Sequence, residues 1–555
     1  MAVSLFATSV VAAATTAPNG TVLSGTYNIP GDYATLGDAI SAVNGASVGS
    51  PGVTLNVLAG NPQTALLGGY ALTTSGSAGT PIVIQGNGNT VTAPTPQASG
   101  ALNDAIFKII GADYVTINGF TMLENPANTT TAAATNNMTE WGVAVLYAST
   151  TDGAQNVTIQ NNSITLNRTY QNTFGIYSNS THSATTVSTS ATATGAAGGN
   201  SNLKIYANTI SNVNIGMLVV GPTAAADQND GIDIGGIAAA TGNTITNYGT
   251  TGTFSSYANV SGTVNGVLVR NSKNVNISFN SITSSSGATG VTVGTLRGIY
   301  VQAASNQPTG TFTNNVNNNT LAVTTHVLGG TLQGITVDSA TSSATSTTNI
   351  NANDFTALNH TIAAATGATT AIIHTGSATA GPVLASVSNN TFTNITASST
   401  GAFTFISDSF TAPTNGTKNI NSNAIVTGFN RTGVSGAVTF FTDNGSDTAG
   451  TTNNFNNNTF TNITLAGTSS VIGISSTNGG APTKNVIGNT VNGISGASGA
   501  IVAIQTGFDA GPTSVSGNTI SNLTGGGNVT GLLLASGAGA RTVSKNSIHD
   551  LSGTA

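Results

Sequence analysis

Short apolar alternations recur along this chain, separated by runs of Asn, Thr, Ser and Gly. In segments such as VTIQN, LKIYAN and VNISFN, apolar and polar residues alternate with a period of two, which is typical of a β-strand. Each segment ends on an Asn, and apolar positions follow at once, as in NTISNV and NTFTNI. The pattern therefore predicts many short strands in a repeated order rather than helices.

Aligning the chain on that Asn reveals twelve copies of one unit. The interval between copies runs from 28 residues (518 to 546) to 46 residues (162 to 208), a range that is typical of solenoids, propellers and repeat arrays. The twelve residues are Asn162, Asn208, Asn243, Asn280, Asn319, Asn353, Asn390, Asn423, Asn458, Asn489, Asn518 and Asn546.

A second Asn in each unit indicates a corner. Phe392 and Ile395 are three residues apart, and strict alternation would place them on opposite faces of a strand. Both point inward only if the chain bends between them, and Asn tolerates the left-handed conformation that such a bend requires. The corners predicted in this way are Asn212, Asn394, Asn462 and Asn522.

A third segment, Gly or Ala before an apolar alternation, completes the unit, as in GIYS, GMLVV and AFTF. Three strands and three corners make one coil, and coils that stack in parallel pair every strand with its counterpart in the next coil. The predicted fold is all-β, a right-handed single-stranded parallel β-helix of about fifteen three-strand coils, roughly 70 Å long. A propeller blade needs four antiparallel strands and does not fit a signature that recurs once per unit. Immunoglobulin-like tandem domains would need units of about 100 residues.

The two ends of the chain differ from the repeat. Residues 1–20 contain an apolar run followed by small residues, the pattern of an export signal that lacks its basic start. Residues 21–50 are expected to form a strand and a short capping helix, with Asp32 or Thr35 as its N-cap. Residues 51–555 are assigned to the β-helix, which we expect to continue past the C-terminus or to associate head to tail, because its last strands have no cap.

Composition narrows the range of functions. Only 5% of the residues are charged, the net charge is −6 and no basic cluster occurs, so no nucleic-acid partner is expected. The chain has no Cys, which excludes disulfides and thiolate chemistry. No stretch is long enough for a membrane-spanning helix, and no cofactor is expected.

The first 215 residues resemble large secreted β-helix proteins of the Bacteroidota. The resemblance is carried by GTYNIPGDYATLGDAISAVN, PGVTLNVLAG, GTPIVIQGNGNTVT and GADYVTINGFTM, and then by FGIYSNSTHSATT and NSNLKIYANTISNV. It implies a pectin-lyase-like fold, export and display on the cell surface, often through the type IX secretion pathway. The family does not imply one activity.

Candidate catalytic and metal-binding residues are few. NDGIDI resembles the polygalacturonase segment in which an Asp acts in acid/base chemistry, which makes Asp230 and Asp233 weak catalytic candidates. The other elements of that family are missing, and the segment is expected to be structural. DNGSD makes Asp443 and Asp447 weak metal candidates, but a plain polar turn is the favoured interpretation because the later ligands of a calcium loop are absent. The five His residues have no metal-ligand spacing and are expected to be isolated surface or corner residues.

Two further features concern the surface. DSA and DTA resemble the Bacteroidota O-glycosylation acceptor, which makes Ser339 and Thr448 candidate sites. Repeated Thr-x-Thr and Ser/Thr equivalents predict a hydroxyl-lined face. We therefore expect a non-enzymatic, secreted structural or adhesive rod that contacts extracellular glycans or other surface components. The alternatives are a polysaccharide lyase or glycoside hydrolase of pectin-lyase-like fold and, second, an ice-binding solenoid.

Overall fold

The structure is a computed structural model. It describes residues 21–554, except 133, 181–192, 250–262, 285–293, 303–310, 343–344, 363, 380–382 and 497. The predicted export signal and one of the five His residues, His182, lie outside the described residues.

Three parallel sheets run along the molecule, and each coil contributes in turn to the first, second and third sheet. The strands of the first sheet are Val22–Ile29, Ser47–Val57, Ile82–Gln85, Val115–Asn118, Thr158–Gln160, Lys204–Tyr206, Asp233–Ile234, Asn276–Ser278, Thr311–Asn317, Thr345–Asn351, Leu384–Ser388, Thr417–Asn419, Thr452–Asn456, Thr483–Ile487, Thr513–Ser516 and Arg541–Ser544. The prediction of a parallel β-helix of about fifteen coils is confirmed.

The second sheet follows the Asn that closes each first-sheet segment. Its strands are Gln63–Thr64, Thr90–Thr92, Thr121–Leu123, Ser163–Thr165, Thr209–Ser211, Thr244–Tyr248, Ser281–Ser284, Thr320–Thr325, Asp354–His360, Thr391–Phe392, Ile395–Ala397, Ala424–Ile425, Phe429–Arg431, Thr459–Leu465, Thr490–Ser495, Thr519–Gly525 and Ser547–Gly553.

The third sheet contains the Gly-led or Ala-led apolar segments. Its strands are Tyr70–Leu72, Ala105–Ile110, Trp141–Leu146, Phe174–Asn179, Ile215–Val220, Thr263–Arg270, Thr295–Gln302, Thr331–Ser342, Thr369–Ala378, Phe403–Asp408, Val438–Asp443, Val471–Ser476, Ile501–Thr506 and Val529–Leu534. A separate pair, Asn229–Asp230 and Ser272–Lys273, lies outside the three sheets, and Ala196–Gly198 and Ala239–Thr241 form single 3₁₀ turns.

Like residues stack above like residues, as the repeat requires. In the first sheet Ile159, Ile205, Ile234 and Ile277 are successive partners. These side chains are buried and belong to one apolar core that continues from the capping helix to the last coils. The period-two alternation of the sequence thus places one residue in two inside the coil, where its apolar surface leaves water.

The capping helix runs from Leu36 to Asn44. Thr35 is its N-cap: the Thr35 side chain accepts a hydrogen bond from the Asp38 backbone N–H, and the Asp38 carboxylate accepts one from the Thr35 backbone N–H. The other predicted cap, Asp32, instead accepts from the Asn28 backbone N–H at 2.8 Å. Leu36, Ile40 and the other apolar residues of the helix cover the core of the first coils.

All twelve aligned Asn residues form one ladder, which we call the asparagine ladder; eleven are buried and the last, Asn546, is half-buried. In each step both the side-chain Nδ2 and the backbone N–H of one Asn donate to Oδ1 of the next. For Asn353 and Asn390 both distances are 3.0 Å. The same Nδ2 also donates to a carbonyl oxygen of an earlier coil, as from Asn390 to Ile350 at 2.9 Å. The repeated Asn therefore satisfies buried backbone groups at the corner between the first and second sheets.

The outer face of the third sheet is also apolar in its N-terminal half. Trp141 stacks on Tyr177 with ring centroids 4.7 Å apart, and Phe174 packs edge-on to Tyr177. These residues are buried although they lie on the face opposite the central core, so this part of the sheet is buried on both faces.

Candidate functional site

The two candidate catalytic carboxylates hold neighbouring coils together. Asp230 lies 3.4 Å from Lys273 Nζ and accepts from Asn274 Nδ2 at 2.7 Å. Asp233 accepts from Asn276 Nδ2 at 2.7 Å and from the Tyr206 hydroxyl. Hydrolysis requires one protonated and one ionised carboxyl group facing the same glycosidic bond. The observed hydrogen bonds favour a structural role for both residues.

The structure corrects the interpretation of DNGSD as a plain polar turn. Asp443 and Asp447 are fully buried, with 0% of each residue exposed. Lys418 is equally buried, and its Nζ lies 2.6 Å from Asp443 Oδ1, 2.9 Å from Asp408 Oδ1 and 3.5 Å from Asp447 Oδ2. The ammonium group occupies the centre of the carboxylates, where a metal ion would have to bind.

His374 extends this group of charges, and its burial corrects a second expectation. His374 Nδ1 lies 3.1 Å from Asp408 Oδ2, and the imidazole stacks on the Phe410 ring. His360 is fully buried as well, so the prediction that the His residues are isolated surface or corner residues is wrong for these two. We call His374, Asp408, Lys418, Asp443 and Asp447 the buried charge cluster.

Two carboxyl partners of Lys418, Asp408 and Asp443, have pKa values shifted in opposite directions. Burial alone would raise the pKa of Asp408, but Lys418 and His374 outweigh it and lower the pKa to about 2. Burial raises the pKa of Asp443, and the negative charges of Asp408 and Asp447 add to this effect. Burial opposes the charge on Lys418, but the three carboxylates outweigh it and raise the pKa of the ammonium group. Asp408 therefore stays ionised more readily than Asp443, and Asp443 takes up a proton more readily than Asp408.

A second buried ion pair lies on the following coils. Lys484 contacts Asp509, both are buried, and Arg541 Nη2 lies 3.7 Å from Asp509. Lys418, Asn453 and Lys484 are successive partners in the first sheet, whereas Asp408, Asp443 and Ser476 are successive partners in the third. The two rows face each other across the corner between these sheets.

The sequence contained a signal for this cluster that the analysis of motifs missed. Lys418, Asn453 and Lys484 each lie five residues before an Asn of the asparagine ladder. The alternation of TKNI places that residue on the same face as the buried Ile, so a Lys there must be inside the coil. A buried Lys needs anionic partners, which identifies the nearby Asp residues as its candidates.

A further acidic group lies at the start of the third-sheet strands. Glu140 is fully buried and accepts from the Tyr170 hydroxyl at 2.7 Å and from the Asp104 backbone N–H at 3.0 Å. Burial raises the pKa of Asp104 to about 6, although Lys108 acts in the opposite direction. Burial, followed by the charge of Asp104, raises the pKa of Glu140 well above its usual value. These carboxyl groups are closed to solvent, so a dissolved substrate has no access to them.

The exposed candidate is a polar cleft on the second sheet. It encloses about 410 Å³ and is lined by Asn394, Ile395, Thr396, Thr427, Gly428, Phe429, Asn430, Asn462 and Thr464. The Asn and Thr side chains of this lining are exposed, whereas Ile395 and Phe429 are buried beneath them. None of the described residues that line the cleft is charged, so it offers amide and hydroxyl groups over an apolar floor.

The predicted corners lie where the chain turns within the second sheet. Asn212, Asn394, Asn462 and Asn522 have φ values of 54°, 55°, 60° and 55°, in the left-handed region. Two of them, Asn394 and Asn462, border the polar cleft. The corner residues and the cleft are thus parts of the same surface.

The hydroxyl-lined face is present but interrupted. Ser163, Thr209, Thr244, Ser281 and Thr320 are successive partners in the second sheet. Asp354 occupies the next equivalent position, and Thr391 and then Ala424 follow it. The row therefore presents hydroxyl groups without the unbroken regularity that a periodic surface would have.

The glycosylation candidates differ in accessibility. Thr448 is exposed, whereas Ser339 is half-buried and its hydroxyl oxygen is shielded from solvent. Over the described part of the chain, no group of three or more His, Cys, Asp or Glu residues is arranged to hold a metal ion. Within the same residues, no helix is long and apolar enough to cross a membrane.

Comparison with known proteins finds distant structural similarity and no match in sequence. No family model matches the chain, and no curated protein matches it in sequence. Two structures of PfbA, a surface adhesin of Streptococcus pneumoniae, align at 10% and 11% identity, over 82% and 93% of this chain and 87% and 93% of theirs, with TM-scores of 0.32 and 0.27. The PL6 family alginate lyase AlyGC aligns at 10% identity over 96% of this chain and 100% of its own, with a TM-score of 0.19. Similarity at this level carries no functional argument, so function has to be argued from the residues of this chain.

Proposed function

We propose that the chain is a non-enzymatic β-helix rod that adheres to extracellular glycans or other cell-surface components. The observation that carries this proposal is the contrast between its acidic groups and its exposed polar surface. The candidate catalytic carboxylates are engaged in hydrogen bonds between coils, whereas the polar cleft presents uncharged Asn and Thr groups. Amide and hydroxyl side chains suit the hydroxyl groups of sugars, which both donate and accept hydrogen bonds.

The cleft also favours one class of glycan. A uronic acid carries a carboxylate that an Arg or Lys would recognise by a charge-assisted hydrogen bond. None of the described residues lining the cleft supplies such a group. We therefore propose neutral glycans as the preferred ligands of this surface.

A glycan array probed with the labelled protein tests this proposal. Neutral glycans are expected to bind, and the double substitution Asn430→Ala and Thr464→Ala is expected to weaken binding about tenfold or more, because two polar contacts are lost. Thr524→Ala, on the same sheet and also exposed, is the matched control and is expected to bind normally. Binding that the double substitution leaves unchanged would exclude the polar cleft as the site.

Export and assembly belong to the same proposal. Secretion to the cell surface, by a type IX pathway as in the Bacteroidota proteins that the first 215 residues resemble, agrees with an adhesive role. We also propose that the rods associate head to tail. Light scattering over a range of protein concentrations tests association, and a constant monomer mass would argue against it.

A further inference from the structure

Lys418 lies in an arrangement that can do more than balance charge. Its Nζ contacts three carboxyl groups in a fully buried site, and the nearest oxygen, Asp443 Oδ1, is 2.6 Å away. The Asp443 carboxyl carbon is one bond beyond that oxygen. An amine held at this distance from a carboxyl group, with a second carboxylate beside it, has the components of an amide-forming reaction.

The three Asp residues are not equivalent in this respect. Asp447 is the most distant, and its oxygens accept from Ala412 N, Asn453 Nδ2 and Asn478 Nδ2. Asp408 is held by His374 and its Oδ1 lies 2.9 Å from Lys418 Nζ, so it is placed to relay a proton from the ammonium group. Its lowered pKa makes it a weak base, so it releases that proton at once and does not store it. Asp443 has a raised pKa, and its protonated form is the carboxyl state that an amine can attack.

We propose that Lys418 and Asp443 form an intramolecular isopeptide bond, with Asp408 as the group that transfers the protons. Asp443 Oδ2 accepts from Ser476 Oγ at 3.2 Å, a donor placed to stabilise negative charge that develops on that oxygen during the attack. This proposal is independent of the adhesive function.

The reaction needs no oxidant, reductant or second substrate. Asp408 takes a proton from the Lys418 ammonium group and passes it to the Asp443 carboxylate, and the resulting amine attacks the carbon of the protonated Asp443 carboxyl group. A C–N bond forms, one C–O bond of Asp443 breaks, and the released oxygen leaves as water. Of the three ammonium protons, one remains on the amide nitrogen and two leave with the water, passed from nitrogen to oxygen by Asp408.

The charges around Lys418 slow the formation of the isopeptide bond but do not prevent it. The carboxylates favour the charged form of Lys418, so the attacking amine is a minor species at any moment. The bond has to form only once in each molecule, and the buried site excludes the water that would reverse it. A slow reaction after folding is therefore sufficient.

The bond would close one coil upon itself. Lys418 lies in the first-sheet strand Thr417–Asn419, and Asp443 ends the third-sheet strand Val438–Asp443 of the same coil. The linked segment contains the second-sheet strands between them and the part of the polar cleft around Asn430. A covalent closure at this place would resist unwinding of the rod under tension.

The mass of the purified full chain tests this proposal. Formation of the bond lowers the denatured mass by about 18 Da, that of one water molecule. Trypsin is then expected to leave the chain uncut after Lys418, and tandem mass spectrometry is expected to find a branched peptide joining Lys418 to Asp443. An unchanged mass overturns the proposal. So does a loss that maps instead to succinimide at Asp152-Gly153 or Asp230-Gly231.

Matched variants separate this site from the other buried ion pair. Lys418→Met and Asp408→Asn are expected to show the full sequence mass. Lys484→Met is expected to keep the loss, because among the described residues Lys484 has only Asp509 as a carboxylate within 4.0 Å and no second one to transfer the protons. A loss that persists in Lys418→Met, or that disappears only in Lys484→Met, overturns the assignment. A branched peptide that forms fully in Asp408→Asn overturns the role given to Asp408.

Discussion

Asparagine has two different structural roles in this fold, and the conformation of its backbone distinguishes them. The Asn of the asparagine ladder, buried in every coil but the last, joins coils through its side chain. The Asn of the second-sheet corner is in the left-handed conformation, where a residue with a Cβ is strained. In successive coils this corner is occupied by Asn394, Gly428, Asn462, Gly493 and Asn522, all with positive φ. Asn and Gly thus alternate where the backbone demands that conformation.

The corner yields the first prediction. Asn394→Gly and Asn462→Gly are expected to be nearly neutral, because Gly already occupies the same corner in the neighbouring coils. Asn394→Val and Asn462→Val are expected to destabilise the protein by about 1 to 2 kcal/mol or more through backbone strain. Thermal or urea unfolding measures both, and equal stabilities for the Gly and Val variants would contradict the strain argument.

The asparagine ladder yields the second prediction. Asn390→Ala removes the acceptor of the Asn353 backbone N–H and the donor to the Ile350 carbonyl, both at buried positions. Two buried groups left without partners cost about 2 to 4 kcal/mol. Asn430→Ala, on an exposed strand position, is the control and is expected to change stability by less than about 0.5 kcal/mol. Equal losses in urea unfolding would show that the ladder has no special role.

The sequence predicted where these Asn residues lie, but it did not predict which residues they would hydrogen-bond to. Recurrence every 28 to 46 residues identified the twelve ladder residues, because a repeat shows which position is constrained. The hydrogen bonds themselves join residues such as Asn353 and Asn390, which approach only after two coils have stacked. A pattern within one coil contains no information about that distance.

At the scale of single elements, the capping helix shows how local chemistry fixes a boundary. The sequence offered Asp32 and Thr35 as N-caps, and the structure selects Thr35 because Asp38 lies three residues later and completes the capping box. Thr35→Ala is expected to cost about 1 kcal/mol. Ser41→Ala, at an exposed position of the same helix, is expected to be neutral in the same unfolding measurement. A loss of the same size in both variants would argue against the cap.

Asp104, directly before the strand that begins at Ala105, leads to a prediction about how stability depends on pH. The folded-state pKa of Asp104 is about 6, above the unfolded value of about 3.9, so the folded state binds the proton more tightly. Its contribution to stability is fully present below about pH 4 and is lost as the pH rises through about 6. Melting temperature is therefore expected to fall between pH 5 and pH 7.5 by more in the wild type than in Asp104→Asn.

Asp152→Asn, at an exposed position, is the control for this measurement and is expected to retain the wild-type pH dependence. If Asp104→Asn and the wild type lose the same number of degrees over this range, Asp104 does not titrate in the way that its burial implies.

At the scale of the whole molecule, the order of the elements follows from the sequence, but the charged interior does not. Period-two strands, corner Asn residues and Gly-led apolar segments predicted a parallel β-helix because each coil repeats the same local pattern. The buried charge cluster brings together His374, Asp408, Lys418, Asp443 and Asp447, which belong to three successive coils. Asp443 and Asp447 share the segment DNGSD, but His374, Asp408 and Lys418 each lie in a different segment. The inward position of Lys418 predicts that it needs an anionic partner, and the stacking register is needed to show which carboxylates meet it.

The division between interior and surface underlies the functional proposal. The described carboxyl groups that have strongly raised or lowered pKa values, such as Asp408 and Glu140, lie where no dissolved polymer can enter. The exposed cleft has amide and hydroxyl groups that can bind sugars but that supply no acid and base for cleaving them. We therefore propose that the surface binds ligands and that the charged interior holds the coils together.

Size-exclusion chromatography of the protein mixed with soluble polysaccharides, with light scattering at the outlet, tests this division most directly. Neutral polysaccharides, pectin and alginate are each incubated with the protein, and the size of each polymer is measured together with the protein that elutes with it. We expect co-elution with at least one neutral polysaccharide, no shortening of any polymer, and loss of co-elution in the Asn430→Ala and Thr464→Ala double variant. Shortened pectin or alginate, with the shortening abolished by Asp230→Ala or Asp233→Ala, would contradict the account and identify the chain as an enzyme.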